Sequence, residues 1–102
     1  MADPPPHAAP DGGAFPAGET LLHHAAAIVT RRRREYGEPA ELFEHVAKRW
    51  SLTLGTPVSP AQVVLCLLDL KLARLARDPK HVDSVLDVAG YAACLWEVGQ
   101  DG

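Results

Sequence analysis

The segment HVDSVLDVAGYAACLWEV, residues 81–98, is mostly apolar but carries two aspartates, Asp83 and Asp87. Its apolar residues recur at helical spacing, so it predicts a helix from about Val82 to Val98. Carboxylates spaced i, i+4 lie one above the other on one face of a helix and repel each other. We therefore expect a cation opposite them, either a divalent metal ion or a Lys/Arg pair from a neighbouring helix.

Three further segments show the apolar spacing of amphipathic helices. Their predicted bounds are about Glu19–Arg34, Pro39–Leu54 and Pro60–Arg77. Ser59 before a proline is a strong helix start, Gly55 suits a helix end, and Thr20 is the expected N-cap of the first helix. No segment alternates like a strand or holds a hairpin turn between apolar runs. The sequence therefore predicts an all-α, four-helix bundle-like domain.

The apolar residues of these helices define the expected core. In the third helix they are Val64, Leu65, Leu68, Leu72 and Leu75. Trp50 and Trp96 are most simply core anchors, and Cys66 and Cys94 are most simply reduced, buried packing residues. A glycine inside a helix costs about 1 kcal/mol relative to alanine, so Gly90 suggests the close approach of another backbone or a ligand.

The chain has 102 residues, so one small domain is expected. Five of the nine prolines and three of the eight glycines fall within residues 1–18, which predicts a disordered leader before a domain at 19–102. The leader does not resemble a signal peptide, and no apolar run reaches the roughly 18 residues of a membrane span. The formal net charge of −3 makes nucleic acid an unlikely partner. We expect a soluble, cytoplasmic protein that associates into a homo-oligomer, because its core is small.

Two acidic pairs suggest a metal site. Glu41 and Glu44 are spaced i, i+3 near the start of the second helix, and a bundle can aim them at the space that Asp83 and Asp87 face. Four carboxylates there would suit Mg²⁺ or Mn²⁺, which bridges a phosphate-bearing substrate and orients a water. In the alternative, Glu41 and Glu44 face solvent and pair with nearby basic residues, and Asp83 is stabilised by the helix dipole.

Lys71 and Arg74 are the basic residues expected near the aspartates. They are spaced i, i+3 between leucines of the third helix. Such a pair would hold the phosphate oxygens of a substrate. Equally, it would neutralise Asp83 and Asp87 directly in an internal ion-pair network. Both interpretations place Lys71 and Arg74 close to the last helix.

The remaining candidates are aromatic and basic residues near helix ends. Tyr36 and Tyr91 would stack on or border a nucleotide base, and His81 would touch a phosphate. The alternatives are a core role for Tyr36 and an exposed loop position for His81.

The run Arg31–Arg34 covers the whole circumference of a helix end, so at least one arginine points toward the protein. No aromatic residues interleave with the run, and Glu35 and Glu38 follow it, so a solvated helix end is favoured over a contact with substrate, a second subunit or nucleic acid.

These segments together resemble an uncharacterised family of small phage and bacterial proteins. The segments that carry the resemblance are YGEPAELF at 36–43, KLAR at 71–74 and KHVDSVLDVAGYA at 80–92. They are similar to the family's Y-G-D-P-x-x-N-F, K-x-x-R and D-S-x-x-D-x-x-G-Y patterns, and the similarity covers roughly residues 20–98. Glu38 and Leu42 stand here where the first pattern has aspartate and asparagine.

That family looks like a distant relative of the MazG-like all-α nucleoside triphosphate pyrophosphatases. The resemblance implies a Mg²⁺-dependent pyrophosphohydrolase, with Glu41, Asp83 and Asp87 catalytic and Glu44 a further metal ligand. The Asp-x-x-x-Asp pair is one residue longer than the E-x-x-D pair of those enzymes, and Leu42 removes a polar group, so catalysis can be lost while the fold is kept. The alternative is a non-catalytic module that binds a nucleotide or signalling molecule, or that mediates an interaction.

Overall fold

The fold is known from a computed structural model that describes residues 15–100. Over that range it contains four helices and no strand: α1 (Gly18–Tyr36), α2 (Pro39–Leu54), α3 (Pro60–Arg77) and α4 (Val82–Gln100). The predicted all-α fold is confirmed, with the predicted bounds for α2 and α3. Most of the predicted leader lies outside the described residues. None of the four helices combines the length and the apolar character needed to cross a bilayer.

Local capping chemistry sets two of the helix ends. Gly55 adopts a left-handed conformation, with φ 70° and ψ 23°, and its N–H donates to the Ser51 carbonyl where α2 ends. At the start of α3, the Ser59 side chain accepts from the Gln62 N–H, and the Gln62 side chain accepts from the Ser59 N–H. This reciprocal pair is a complete capping box. The helix end at Gly55 and the helix start at Ser59 are therefore confirmed.

The start of α1 differs from the prediction. The N-cap is Ala17, whose side chain makes no capping hydrogen bond, and Thr20 lies inside the first turn. The prediction that Thr20 is the N-cap of this helix was therefore wrong. Glu19 in that turn suits the positive end of the helix dipole. At its other end, α1 continues past Arg34 to Tyr36.

Helix α4 contacts all three other helices. It packs most extensively against α3, while α2 packs across α3 and α4, and α1 contacts mainly α4. The core that α2, α3 and α4 share consists of Phe43, Ala47, Val63, Val64 and Val98. Trp50, Leu67 and Tyr91 pack against it while partly exposed. The fold therefore has a compact three-helix centre and a more peripheral first helix.

Several residues predicted to be buried lie on the surface. Val64 is fully buried, but Leu65 and Leu72 are about half exposed and Trp96 is 70% exposed. Both cysteines are free thiols, but Cys66 is exposed rather than buried and Cys94 is half-buried. The error has a simple cause, because α3 is apolar around most of its circumference and neighbouring helices cover only one side of it.

Candidate functional site

A cavity of about 320 Å³ lies between α1, α2 and α4. Its walls are mainly apolar and include Val29, Pro39, Leu42, Phe43 and Leu86. Polar side chains reach it at a few points, namely at Arg32, Arg33, Asp87 and the two tyrosines, Tyr36 and Tyr91. Apolar walls with a few convergent polar groups are typical of small-molecule sites, which usually enclose about 300–1,000 Å³.

Helical periodicity decides which side chains of α1 reach the cavity. Ala25 is buried and Ile28 half-buried, so they mark the face of α1 that packs against the protein. Arg32 and Tyr36 follow Ile28 at steps of four residues and therefore continue the same face. Gly37, with φ 83°, then turns the chain into α2 beside the cavity.

Asp87 forms part of the cavity wall and is held between α3 and α1. Its Oδ2 lies 3.2 Å from Lys71 Nζ, and its Oδ1 lies 3.7 Å from Arg32 Nη2. The side chain of Asp87 is 8% exposed and that of Lys71 17% exposed, so solvent screens this ion pair little. The cation expected opposite Asp87 is a Lys/Arg pair in the structure, formed by Lys71 and Arg32. Arg32 takes the place that was predicted for Arg74.

The other predicted acidic and basic residues lie away from the cavity. Arg74 is exposed and does not line it. Asp83 is half-buried in the first turn of α4, where a carboxylate suits the helix dipole. Glu41 and Glu44 are both exposed, and Glu44 pairs with Lys48 at 3.8 Å on the surface of α2. Of the four predicted metal ligands, Asp87 alone borders the cavity.

The described residues do not fit a Mg²⁺ or Mn²⁺ site. Within residues 15–100, no three His, Cys, Asp or Glu side chains come together in a group that would hold a metal ion. Mg²⁺ requires oxygen ligands in near-octahedral geometry, whereas Asp87 is engaged by two cationic side chains. The metal cofactor therefore stays a prediction of the two acidic pairs and of the resemblance.

The predicted substrate-binding residues divide into two groups. Tyr36, which is 67% exposed, and Tyr91, which is half-buried, both line the cavity. His81 instead caps α4, since its Nδ1 accepts from the Ser84 N–H at 3.2 Å and lies 2.6 Å from Ser84 Oγ. Ser84 is buried and His81 half-buried, so His81 is neither an exposed loop residue nor part of the cavity.

A second charged group flanks the cavity near the end of α4. Arg33 donates a short hydrogen bond from Nη2 to Glu97 Oε1, and its Nη1 lies 3.5 Å from Glu38 Oε2. The hydrogen bond and the charge of Glu97 raise the pKa of Arg33. Burial, reinforced by the Glu97 carboxylate, raises the pKa of the Cys94 thiol. Cys94 is therefore protonated and a weak nucleophile at neutral pH.

Neither Arg32 nor Arg33 is among the site residues that the sequence predicts. For Arg32 the signal was available, because it lies four residues after Ile28 on the apolar stripe of α1. The neighbouring arginines differ, since Arg31 pairs with Glu35 at 3.6 Å on the surface and Arg34 is exposed. The position of each arginine around the helix therefore decides whether it faces the protein or the solvent.

Gly90 lines the cavity, but no backbone approaches it closely. A Cβ atom added at Gly90 would meet Val29 Cγ2 at 3.8 Å, which is an ordinary van der Waals contact. Packing of α1 on α4 therefore does not require a glycine at this position. The missing side chain instead leaves space in the cavity wall.

A family model described as "Domain of unknown function (DUF6378)" matches residues 20–99. The chain belongs to this family. The match confirms the predicted membership of an uncharacterised family. The relationship to the MazG-like enzymes stays a prediction.

Two phage proteins are similar to this member of the family. The Gene 55 protein of Mycobacterium phage L5 is 35% identical over 63 residues, which are 61% of this chain and 40% of the phage protein. The Gene 55 protein of Mycobacterium phage D29 is 32% identical over 68 residues, or 67% of this chain and 45% of that protein. The matched segments thus span less than half of each relative. No solved structure matches the chain.

Proposed function

We propose that this domain is a non-catalytic module that binds a nucleotide, or another small molecule with a flat ring and a phosphate, in the cavity between α1, α2 and α4. The cavity itself carries the proposal, because it combines apolar walls, two tyrosines and two arginines in about 320 Å³. The ring would enter between the apolar walls, and the phosphate would stay on the side of the arginines.

The two tyrosines support the ring end of this ligand. Stacking of a base on an aromatic side chain contributes about 1–3 kcal/mol. Tyr36 is largely exposed, so its ring can adjust to a ligand at little cost, whereas Tyr91 packs against the core and offers a fixed surface. A planar ring between them would cover apolar surface that otherwise meets water.

The two arginines support the phosphate end. A guanidinium group binds phosphate oxygens through two parallel hydrogen bonds. Arg32, beside Asp87, and Arg33, hydrogen-bonded to Glu97, both line the cavity. We therefore assign the phosphate contact to this pair of arginines. Binding of this ligand would need no metal ion, because Lys71 and Arg32 already neutralise Asp87.

Calorimetric titration with nucleoside mono-, di- and triphosphates tests this function, in EDTA and in Mg²⁺. We expect at least one nucleotide to bind in EDTA and to raise the Tm, because a ligand that binds only the folded state stabilises it. We expect no release of phosphate or pyrophosphate. Turnover, or binding that requires Mg²⁺, would contradict the proposal and favour the hydrolase. Absence of binding across the panel would also refute it.

Substitutions on α1 locate the ligand. Tyr36→Ala is expected to weaken binding about tenfold, or about 1.4 kcal/mol, with little change in Tm because the ring is exposed. Leu22→Ala is the matched control, since Leu22 is 60% exposed on the same helix and does not line the cavity. Equal losses of affinity in both variants would place the ligand outside the cavity.

A further inference from the structure

Gly90 lies at the centre of the part of α4 that lines the cavity. Leu86 and Asp87 lie one turn before it, Tyr91 follows it directly, and Cys94 lies one turn after it. Leu86 and Asp87 are buried, and Gly90 itself is half-buried. The other four residues of this helix face carry side chains. Gly90 is therefore the point at which the backbone of α4 borders the cavity without a side chain.

The fold does not require a glycine at this position. Gly90 lies inside α4 and lacks the positive φ angle that favours glycine, unlike Gly37 and Gly55. A Cβ atom added at Gly90 would meet Val29 Cγ2 of α1 at 3.8 Å, which is a favourable distance for two carbon atoms. Glycine is also among the least favourable residues inside a helix. Alanine would therefore suit both the helix and its packing on α1 better.

The missing side chain of Gly90 leaves a small recess in the cavity wall. Among the described residues, and apart from its own helix backbone and chain neighbours, only Val29 comes within 4 Å of the added Cβ atom. The recess is thus about as large as a methyl group. Glycine lets a ligand approach the backbone closely, so the edge of a flat ring can reach α4 here. Tyr91, the next residue of α4, lines the same cavity and offers the ring an aromatic neighbour.

We propose that Gly90 is a specificity-determining residue of the cavity, and that the recess beside it takes the second ring of a purine base. This inference rests on the nucleotide-binding function proposed above and names the class of nucleotide. A pyrimidine has a single ring, so with its phosphate on the arginines it would leave the recess empty and forfeit the contacts there. A purine would fill the recess with the edge of its second ring and bury more apolar surface.

Substitution at Gly90 is expected to change stability and binding in opposite directions. Gly90→Ala should raise the Tm by a few degrees, because alanine is the better helix residue and adds a contact with Val29. The same methyl group should fill the recess and weaken the binding of purine nucleotides about tenfold or more, the range for one extra carbon in an apolar pocket. Pyrimidine nucleotides should lose less affinity, because they do not reach the recess.

Two further variants separate loss of space from other effects. Gly99→Ala is the matched control, because Gly99 lies in the same helix, does not line the cavity, and has open space where a Cβ atom would be added. It should leave the affinity for every nucleotide unchanged. Val29→Ala, combined with Gly90→Ala, should restore part of the purine affinity, because it removes the methyl group that faces the added one.

Calorimetric titration of these proteins with purine and pyrimidine nucleotides of equal phosphate number tests the inference, with the Tm of each variant measured in parallel. We expect the wild type to bind adenine or guanine nucleotides more tightly than cytosine and uracil nucleotides. If the wild type binds both classes equally, or Gly90→Ala keeps full purine affinity, the inference is overturned while nucleotide binding stands. If the wild type binds no nucleotide, the proposed function itself fails and the inference fails with it.

The stability measurements and the double variant supply the remaining outcomes. A lower Tm for Gly90→Ala would show that the fold needs this glycine, and would overturn its assignment to the ligand. A double variant as weak as Gly90→Ala, or an equal loss of affinity in Gly99→Ala, would show that the loss does not come from a filled recess. Either result would also overturn the inference.

Discussion

Asp87 is the side chain at which three helices meet. It belongs to α4 and contacts Lys71 of α3 and Arg32 of α1. A buried carboxylate destabilises a protein unless opposite charges compensate for its lost hydration. Two cationic groups against one carboxylate meet this condition, which explains how a largely apolar helix accommodates an aspartate at its buried face.

A double-mutant cycle on Asp87 and Lys71 measures this interaction. Asp87→Leu is expected to lower the free energy of unfolding by about 3 kcal/mol, because it leaves the largely buried Lys71 ammonium without its carboxylate. Lys71→Met should lower it by less, because Arg32 still contacts the Asp87 carboxylate. Removal of both should cost less than the sum of the two single losses, by at least about 1 kcal/mol. Urea denaturation of the four proteins provides the free energies.

The exposed pair Glu44–Lys48 is the control for that cycle. Its side chains are 65% and 75% exposed and 3.8 Å apart. Exposed i, i+4 pairs couple by about 0.3–0.5 kcal/mol. Coupling energies of equal size in the two cycles would contradict a special role for Asp87 in joining the helices.

At the scale of a single element, α4 begins with an unusual cap. The usual N-cap residues carry a side-chain oxygen, whereas here the ring Nδ1 of His81 accepts from the Ser84 N–H. The His81 carbonyl accepts from the Val85 N–H at 3.2 Å, as expected of an N-cap residue. The Ser84 N–H at the start of α4 is therefore shared between the His81 ring nitrogen and the His81 carbonyl, which accepts from it at 3.1 Å.

Replacement of His81 tests this capping role. His81→Ala is expected to lower the free energy of unfolding by about 1 kcal/mol, and His81→Asn should restore most of the loss, because asparagine is among the best N-cap residues. Thermal denaturation followed by circular dichroism measures both. Neither variant should change nucleotide affinity, since His81 does not line the cavity. An affinity lost in both variants at unchanged Tm would return His81 to the ligand site.

In the molecule as a whole, the four helices do not contribute equally to the buried core. Helices α2, α3 and α4 share the central core, whereas α1 contacts mainly α4 and buries Ala25 alone among its residues. Regions with few buried apolar contacts open more readily than the core. The cavity lies where α1 meets the other helices, so one of its walls belongs to the least well packed element.

Hydrogen exchange followed by mass spectrometry should reveal this difference. We expect amides of α1 to exchange faster than those of α3 and α4 in the free protein, and a ligand in the cavity to slow the exchange of α1 most. The Tyr36→Ala variant at the same ligand concentration should show less protection. Equal protection of all four helices, free and bound, would contradict this distribution of stability.

Local patterns in the sequence predict the four helices of this protein, apart from the start of α1. The capping box at Ser59, the left-handed Gly55 and the apolar spacing of α2 and α3 act over a few residues, so their outcome can be read from local patterns. The same patterns identified Asp87 as an unusual residue that needed a cation. They succeeded because helix formation and capping depend on neighbours along the chain.

Which side of each helix is buried depends on how the helices pack against one another. Leu65 and Leu72 fit the predicted core spacing of α3, yet they are exposed, because a helix that is apolar all round does not specify which side its neighbours cover. Arg32 was chosen over Arg74 as the second partner of Asp87 by the packing of α1 on α4. Contacts between residues distant in the chain depend on how helices pack, and local spacing carries no information about that arrangement.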